Sequence, residues 1–287
     1  MLFTLTLTGT FMVAEVIGGL LSGSLALLAD AGHMLTDTFS LFLAWIAARM
    51  AHKPADTLRS YGYHRVQILA AFINGVFFIL IVGWIMYEAV QRILSPLPVM
   101  GDIMLVIAGL GLIVNLLAFF ILHGAGGKDL NIRAALLHVL GDLLGSVAAI
   151  TAAVIILGTG WMPIDPILSV FVALLILRSA WMVVKESTHI LLEGTPQDID
   201  VELLQTAIVE AIPCVRDVHH VHVWSLTPEH PLLTLHVNVD PDADSTQVLH
   251  RVKQVLEDRF QIHHSTIQVE LAHCVDDHAE AKSSAHQ

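Results

Sequence analysis

The sequence has little charge and almost no cysteine. Of its 287 residues, 14% are charged and 55% are apolar, whereas soluble domains have roughly 25% charged and about 45–50% apolar residues. This composition excludes an ordinary soluble enzyme. The two cysteines, Cys214 and Cys274, are too few for a disulfide framework, and neither belongs to a CxxC motif. The N-terminus lacks the basic segment of a signal peptide, so we expect the first apolar segment to be retained as a membrane span.

Long uncharged segments dominate the first two thirds of the chain. The runs 66–87 and 103–127 are 22 and 25 residues long, and each exceeds the roughly 18 apolar residues that indicate a membrane-spanning helix. The apolar pattern predicts six spans, at residues 2–21, 25–51, 66–91, 103–124, 132–157 and 164–188. The sequence therefore predicts an α-helical membrane protein with a six-helix transmembrane bundle.

The composition changes sharply after residue 195. Residues 196–287 hold 15 acidic side chains, 5 basic ones and 11 of the 17 histidines. We therefore expect a transmembrane domain at 1–192 and a soluble domain at 193–287, with a disordered tail after about 275. The patterns of the second part predict an α+β fold of order αββαβ, with elements at 198–213, 215–226, 231–239, 245–260 and 265–271. Its acidity argues against nucleic acid as a partner.

The basic residues predict the orientation in the membrane. The loop after span two contains Arg49, Lys53, Arg59 and Arg65, whereas the opposite side has only Arg92. Lysine and arginine accumulate in cytoplasmic loops. We therefore expect a multi-pass protein of the cell's inner (plasma) membrane whose termini and soluble domain are both cytoplasmic.

Two histidine–aspartate pairs lie within the predicted spans. Span two contains His33 and Asp37. Span five contains His138 and Asp142. A spacing of four places each pair on one helix face, in positions where an ionisable group costs at least about 2.5–3.5 kcal/mol. Two imidazoles and two carboxylates from facing helices supply four ligands that suit tetrahedral Zn²⁺. The spacing therefore predicts an intramembrane metal site.

The two pairs also have other interpretations. Each aspartate could bond to its own histidine one turn away and only fix helix packing. An intramembrane zinc enzyme would need a general base, for which the spans offer only Glu15 or Asp30, and the HExxH motif of zinc hydrolases is absent. A metal sensor would rearrange on binding zinc without transporting it. Because the costly spacing occurs twice at similar depth, a metal site is favoured over two separate structural pairs. Because the spans lack HExxH and hold too few further ligands for a di-iron enzyme, transport is favoured over catalysis.

Longer motifs surround these pairs. They are LLADAGHMLTD, YGYHR with ILAAFING, LNIRAALLHVLGDLLGS, LLEG, and HHVHVW followed by TIQVE. Together they resemble the cation diffusion facilitator family, and most closely its bacterial zinc-exporting branch. The resemblance implies a homodimer of six-helix protomers in the lipid bilayer that exchanges cytoplasmic Zn²⁺ for external H⁺. It also implies that residues 1–192 are the transport domain and that residues 193–287 are a metallochaperone-like, metal-binding and dimerisation domain with a ferredoxin-like fold.

The resemblance carries the family's transport site onto His33, Asp37, His138 and Asp142. Other divalent cations, such as Cd²⁺, Co²⁺ and Ni²⁺, also fit nitrogen and oxygen ligands. Metal binds only deprotonated ligands, and imidazole titrates near neutrality, so external protons can displace the metal. Asp30 lies one turn before His33, and we expect it to be either a hydrogen-bonding neighbour of the site or a proton carrier, with a packing role as the alternative.

A second metal site is predicted in the C-terminal domain. Strand alternation places His236 and Glu270 away from the core. The resemblance adds His219 as a third Zn²⁺ ligand. Alternation instead groups His219 with the core-facing valines and exposes His220 and His222, so the two indications conflict. The alternative is a solvated sheet face whose histidines bind nothing. Cys274 follows the last predicted strand, and we interpret it as an inert surface thiol rather than as an additional ligand.

The loop after span two departs from the family pattern. Some members have an aspartate and two histidines there, which form another metal site. This sequence retains Asp56 but has Arg59 and Tyr63 at the histidine positions, and a cation at Arg59 repels a metal, so we predict no metal in this loop. Arg65 and Glu193 resemble a family charge pair at the hinge between the membrane and soluble parts.

Overall fold

A computed structural model describes residues 2–124, 130–271 and 274. The side chains of Asp37 and His138 lie outside the described part, and so does the predicted disordered tail after residue 275. The chain forms two compact units. One contains Met1–Ala47 and Ala70–Lys185, and the other contains Ala48–Leu69 and Glu186–Gln287.

Long apolar helices build the first unit. Between residues 2 and 191 the described helices are α1 (Leu2–Ser22), α2 (Leu25–Ala51), α3 (Arg65–Leu94), α4 (Gly101–Gly124), α5 (Leu130–Thr159) and α6 (Ile164–Leu191). Each observed bound lies within three residues of the predicted one. By length and composition, three described segments could cross a membrane, namely Arg65–Leu94, Val139–Thr159 and Ile164–Leu191. The predicted helical architecture is confirmed.

Small residues let the membrane helices approach one another. A Cβ atom at Gly18 of α1 would lie 2.7 Å from Ile107 of α4, and one at Gly75 of α3 would lie 2.6 Å from Val184 of α6. Such small residues are typical of helix interfaces in a bilayer, where lipid is as apolar as leucine and only close packing favours association. A buried cluster that is rich in alanine joins α2, α4 and α5. This cluster packs together the two helices that carry the histidine–aspartate pairs.

The start of α2 is held by a carboxylate from α6. The chain turns from α1 to α2 at Gly23, whose φ of +70° favours glycine. Asp165 is fully buried and accepts hydrogen bonds from Ser24 Oγ and Leu25 N at 2.7 Å and from Ala26 N at 3.2 Å. These are donors that the first turn of a helix leaves without an intrahelical partner. Asp165 therefore caps α2 from another helix.

The C-terminal domain has the predicted αββαβ order. Its elements are α7 (Val201–Ala211), β1 (Val215–Ser225), β2 (Pro231–Val239), α8 (Ser245–Phe260) and β3 (His264–Glu270). The sheet has the order β1-β2-β3, in which β2 pairs antiparallel with β1 and parallel with β3. Helix α7 begins three residues later than predicted because Asp200 is its N-cap and accepts from the backbone N–H groups of Glu202 and Leu203.

One face of this sheet packs on the two helices. The buried core includes Leu204 of α7, Val218 of β1, Leu235 of β2 and Leu256 of α8. Because strand side chains alternate between faces, burying one face leaves the other for polar residues. The histidines of β1 and β2 lie on that second face.

Candidate metal sites

The structure brings His33 of α2 beside Asp142 of α5. Nε2 of His33 lies 3.7 Å from Oδ1 of Asp142. With Zn–N and Zn–O bonds of about 2.0–2.1 Å, two ligands on one edge of a tetrahedron lie roughly 3.3 Å apart. The observed separation is close to that edge and longer than a hydrogen bond. Asp37 and His138 are in the same two helices, one turn away on the predicted ligand faces, and their side chains lie outside the described part.

Further polar residues are buried near this pair. A Cβ atom at Gly145, one turn after Asp142 on α5, would lie 2.9 Å from Oδ1 of Asp30. Asp30 therefore contacts the ligand-bearing helix α5. Glu15 of α1 is also buried, and its carboxyl group lies beside that of Asp30.

A second group of potential ligands lies on the C-terminal sheet. The ligand atoms of His219, His220, His236 and Cys274 all lie within 4.8 Å of one another. Glu270 joins them from β3, with carboxylate oxygens 3.1 Å from Nε2 of His219 and 3.1 Å from Nδ1 of His236. The structure thus brings together the three predicted residues and adds two more. We call these five residues the sheet cluster.

Two neighbours define the geometry of the sheet cluster. Asp217 accepts a hydrogen bond of 2.8 Å from Nδ1 of His219, which leaves Nε2 facing Glu270. Cys274, interpreted from the sequence as an inert surface thiol, instead lies with its Sγ 3.5 Å from Nδ1 of His236. Imidazole, thiolate and carboxylate groups at these separations fit a Zn²⁺ ion.

A β-bulge places His219 on the ligand face. His219 pairs with His236 and His222 pairs with Thr234, so β1 has two residues where β2 has one. The bulge contains His220, whose φ of 48° is in the left-handed region, which histidine adopts more often than most residues. The bulge shifts the alternation by one residue. It thereby removes the conflict between simple alternation and His219 as a ligand.

The Glu270 carboxyl is ionised at neutral pH. Burial acts to raise its pKa, but hydrogen bonds from Gln268 and Cys274 and the charges of His236 and His219 hold the pKa below its ordinary value. A carboxylate binds metal only in its ionised form. Glu270 is therefore in the state that metal ligation requires.

Hydrogen bonds to Asp56 hold the segment between α2 and α3 in place. One carboxylate oxygen of Asp56 accepts from the backbone N–H groups of Leu58 and Arg59 at 2.9 and 2.7 Å, and the other accepts from the Tyr63 hydroxyl at 2.6 Å. The Arg59 guanidinium lies over the Tyr63 ring, 4.9 Å from its centroid. Hydrogen bonds and a cation–π contact thus occupy the positions where other family members have metal ligands.

The hydrogen bonds to Asp56 predict a pH-dependent effect of Tyr63→Phe on backbone hydrogen exchange. The Tyr63 hydroxyl and the Arg59 and Leu58 amides hold the pKa of Asp56 below the ordinary aspartate value of 3.8. The stabilisation is therefore present above pH 3.8 and is lost as the pH falls through the lower folded-state pKa. We expect faster hydrogen–deuterium exchange over residues 54–63 in Tyr63→Phe at pH 7, with a smaller difference from the unaltered chain in acid. Tyr61→Phe is the control, and equal exchange in both variants would contradict this account.

Arg65 and Glu193 form the predicted charge pair. Nη1 of Arg65, the first residue of α3, lies 3.1 Å from Oε1 of Glu193. Glu193 follows α6 with a φ of 60°, and its backbone N–H donates to the carbonyl of Ile190 at 3.1 Å. A left-handed glutamate is strained relative to glycine, so the surrounding contacts fix it.

Comparison with known proteins explains this combination of sites. The family description "Cation efflux transmembrane domain" matches residues 1–192, and "Cation efflux protein, cytoplasmic domain" matches residues 196–272. The chain belongs to the cation efflux family. It is therefore a multi-pass membrane transporter and not an enzyme.

Three relatives in this family cover nearly the whole chain. Zinc transporter ZitB of Pectobacterium atrosepticum is 54% identical over 98% of this chain and 88% of its own, and ZitB of Escherichia coli is 50% identical over 96% and 88%. Metal cation efflux system protein CzcD of Cupriavidus metallidurans is 44% identical over 94% and 85%. A solved structure, the metal-bound C-terminal domain of CzcD from the same organism, is 38% identical, with a TM-score of 0.24, and covers 25% of this chain and all of its own.

Sequence reasoning missed some residues that the structure adds to these sites. Alternation exposes His220 but does not predict that it shares a cluster with His219, which the bulge brings about. Asp165 caps α2 although it follows Ser24 by 141 residues in the sequence. An aspartate in the first turn of an apolar span was the available signal, since a bilayer requires every such group to have a partner.

Proposed function

We propose that this chain exports Zn²⁺ from the cytoplasm in exchange for protons, by alternating access to a site formed by His33, Asp37, His138 and Asp142. The observation that carries this proposal is the approach of His33 and Asp142 across two helices, within 3.7 Å. A contact between a ligand of one pair and a ligand of the other is what a shared ion requires.

The names of the relatives support zinc as the substrate. ZitB proteins that are 50–54% identical to this chain are called zinc transporters. A Bacillus subtilis relative, 45% identical over 91% of this chain, is called a cadmium, cobalt and zinc/H(+)-K(+) antiporter. We infer Zn²⁺ as the principal cargo, with Cd²⁺, Co²⁺ and Ni²⁺ as further ions that the same ligand types accept.

Proton exchange follows from the chemistry of the ligands. Zn²⁺ binds only deprotonated imidazole and carboxylate, so metal entry releases protons and protonation releases metal. Histidine changes its charge near neutral pH and is suited to this exchange. Asp30 is a buried carboxyl group in contact with α5, and the buried carboxyl group of Glu15 lies beside it. We infer that Asp30 is part of the proton pathway rather than a ligand.

Direction and assembly belong to the same proposal. Basic residues between α2 and α3 favour a cytoplasmic location for that segment, and hence for both termini and the C-terminal domain, in the inner membrane. We further infer a homodimer in which the C-terminal domains associate. The matched "Cation efflux protein, cytoplasmic domain" description supports the cytoplasmic location.

Everted membrane vesicles test the proposed direction of transport. Respiring vesicles made from cells that contain the protein are expected to take up ⁶⁵Zn²⁺, because the cytoplasmic face is outside and the lumen is acidified. A protonophore is expected to abolish the uptake. Uptake equal to that of vesicles without the protein would contradict zinc export.

The sheet cluster is the proposed second Zn²⁺ site. The carboxylate of Glu270 lies 3.1 Å from a ring nitrogen of His219 and 3.1 Å from a ring nitrogen of His236. Bound zinc would neutralise Glu270 and join β1, β2 and β3. Such a site would stabilise or regulate the C-terminal domain rather than carry the ion.

Glu270→Ala tests this second site. We expect its zinc affinity to fall at least about tenfold, because removing a charged ligand costs more than the roughly tenfold that a ligand's hydrogen-bond partner contributes. The measurement is competition with a zinc-binding dye. It is made in an Asp142→Asn background so that zinc binding at the transport site does not contribute. Glu210→Ala, an exposed glutamate on α7, is the control. Equal affinity in the two variants would show that the cluster binds no zinc.

A further inference from the structure

A cavity of about 740 Å³ lies between the α2–α3 segment and β1. Both walls belong to the same compact unit. The residues that give the cavity its chemistry are Arg59, Tyr61, Arg65, Glu193, His222 and Trp224. Pockets of roughly 300–1,000 Å³ with a few convergent polar groups are typical ligand sites. The metal sites described above use none of these residues.

The charge of the cavity is opposite to that of the domain around it. Residues 196–287 hold 15 acidic and 5 basic side chains. The cavity wall instead holds the guanidinium groups of Arg59 and Arg65 against the single carboxylate of Glu193. Guanidinium is the side-chain group that best matches the geometry of a phosphate. The lining therefore selects an anion.

Arg65 has a donor that its known partner does not use. Its Nη1 donates to Glu193 at 3.1 Å. Its Nε is buried and has no hydrogen-bond partner among the residues that the structure describes. A buried donor left without an acceptor costs about 1–3 kcal/mol, and a small shift of the guanidinium toward the cavity would let a ligand oxygen remove this cost. The Glu193 carboxylate holds the Nη1 side of the guanidinium.

Arg59 is held in place on the same wall. Its guanidinium lies over the ring of Tyr63, whose hydroxyl is bonded to Asp56 at 2.6 Å. An ordered cation loses less entropy on binding an anion than a freely rotating one does. Asp56 and Tyr63 thus keep the Arg59 guanidinium ordered, which favours anion binding.

The position of the cavity points to a lipid. Arg65 is the first residue of α3, one of the segments long and apolar enough to span a membrane, so the cavity lies at the end of a candidate span, within reach of a lipid headgroup. Leu58 lines it and is 87% exposed, and Tyr61 and Trp224 are the side-chain types enriched at membrane interfaces. We propose that this cavity binds the phosphate group of an anionic phospholipid, with Arg59 and Arg65 as its ligands.

Lipid binding to the purified full-length protein tests this proposal. Phosphatidylglycerol is titrated into the detergent-solubilised protein, with phosphatidylcholine as the zwitterionic comparison, and bound lipid is counted by native mass spectrometry. We expect saturable binding of phosphatidylglycerol that is at least about tenfold weaker in Arg59→Gln and in Arg65→Lys. One charge-assisted hydrogen bond is worth about that factor. Arg65→Lys keeps the charge beside Glu193 and removes the unused Nε donor.

Controls separate the possible outcomes. Arg216→Gln removes an exposed arginine that is paired with Asp240 outside the cavity, and its lipid binding is expected to be unchanged. Thermal unfolding without lipid checks that every variant is folded. Equal phosphatidylglycerol binding in all four proteins would overturn the proposal. Binding of inorganic phosphate alone, with the same dependence on Arg59 and Arg65, would overturn the lipid assignment in favour of a soluble phosphate compound.

Discussion

Replacing Asp142 with asparagine is expected to lower zinc flux at least about a hundredfold while the protein still folds. Asparagine has nearly the same shape, so the packing of α5 is preserved. It cannot supply the negative charge that offsets Zn²⁺, and removing a metal ligand costs more than the 10–100-fold lost with a ligand's hydrogen-bond partner. Nε2 of His33 would then face a neutral amide 3.7 Å away.

Flux and folding are measured on the same purified protein. Initial ⁶⁵Zn²⁺ uptake into proteoliposomes gives the flux, and thermal unfolding in detergent gives the stability. Asp102→Asn is the matched control, because Asp102 is an exposed acidic residue in the first turn of α4. If Asp142→Asn retained the flux of Asp102→Asn, the transport site would not include Asp142.

Asp165→Ala is expected to destabilise the transmembrane domain by on the order of 4 kcal/mol, since each buried donor left unpaired costs about 1–3 kcal/mol. The change removes the acceptor of the Ser24 hydroxyl and of the Leu25 and Ala26 amides. Neither lipid nor water in the hydrocarbon region replaces such an acceptor. Because α2 carries His33, release of its first turn is expected to impair transport as well.

The stability loss is read from thermal unfolding in detergent, where we expect a fall in the midpoint on the order of 10 °C. Asp165→Asn retains one oxygen acceptor and is expected to lie between Asp165→Ala and the unaltered chain. Asp102→Ala, at the start of α4, controls for the loss of a helix-terminal charge. A midpoint for Asp165→Ala no lower than that of Asp102→Ala would contradict capping by Asp165.

The membrane helices could be predicted from the sequence because their signal is local. Uninterrupted apolar segments define each span, and α2 has the predicted bounds Leu25–Ala51. The spacing of His33 and Asp37 likewise predicts a shared face. It does not predict that His33 approaches Asp142, because this contact depends on how α2 and α5 pack. Tertiary packing is a long-range property that residue spacing does not contain.

The C-terminal domain shows where local patterns stop being sufficient. Alternation correctly predicts β2 and β3 and the exposure of His236 to the ligand face. It fails at His219 because one bulged residue, His220, reverses the pattern within β1. Cys274 follows the last strand, where no periodicity constrains its position, and only the folded chain brings it to His236.

Proteoliposomes with an imposed pH gradient test the central claim most directly. With Zn²⁺ outside and an acidic lumen, we expect Zn²⁺ to enter and the lumen to become more alkaline, because protons leave in exchange. Reversing the gradient should suppress the uptake, and Asp142→Asn should abolish both the zinc and the proton movement. Zinc uptake that is independent of the gradient and moves no protons would contradict exchange at the site formed by His33, Asp37, His138 and Asp142.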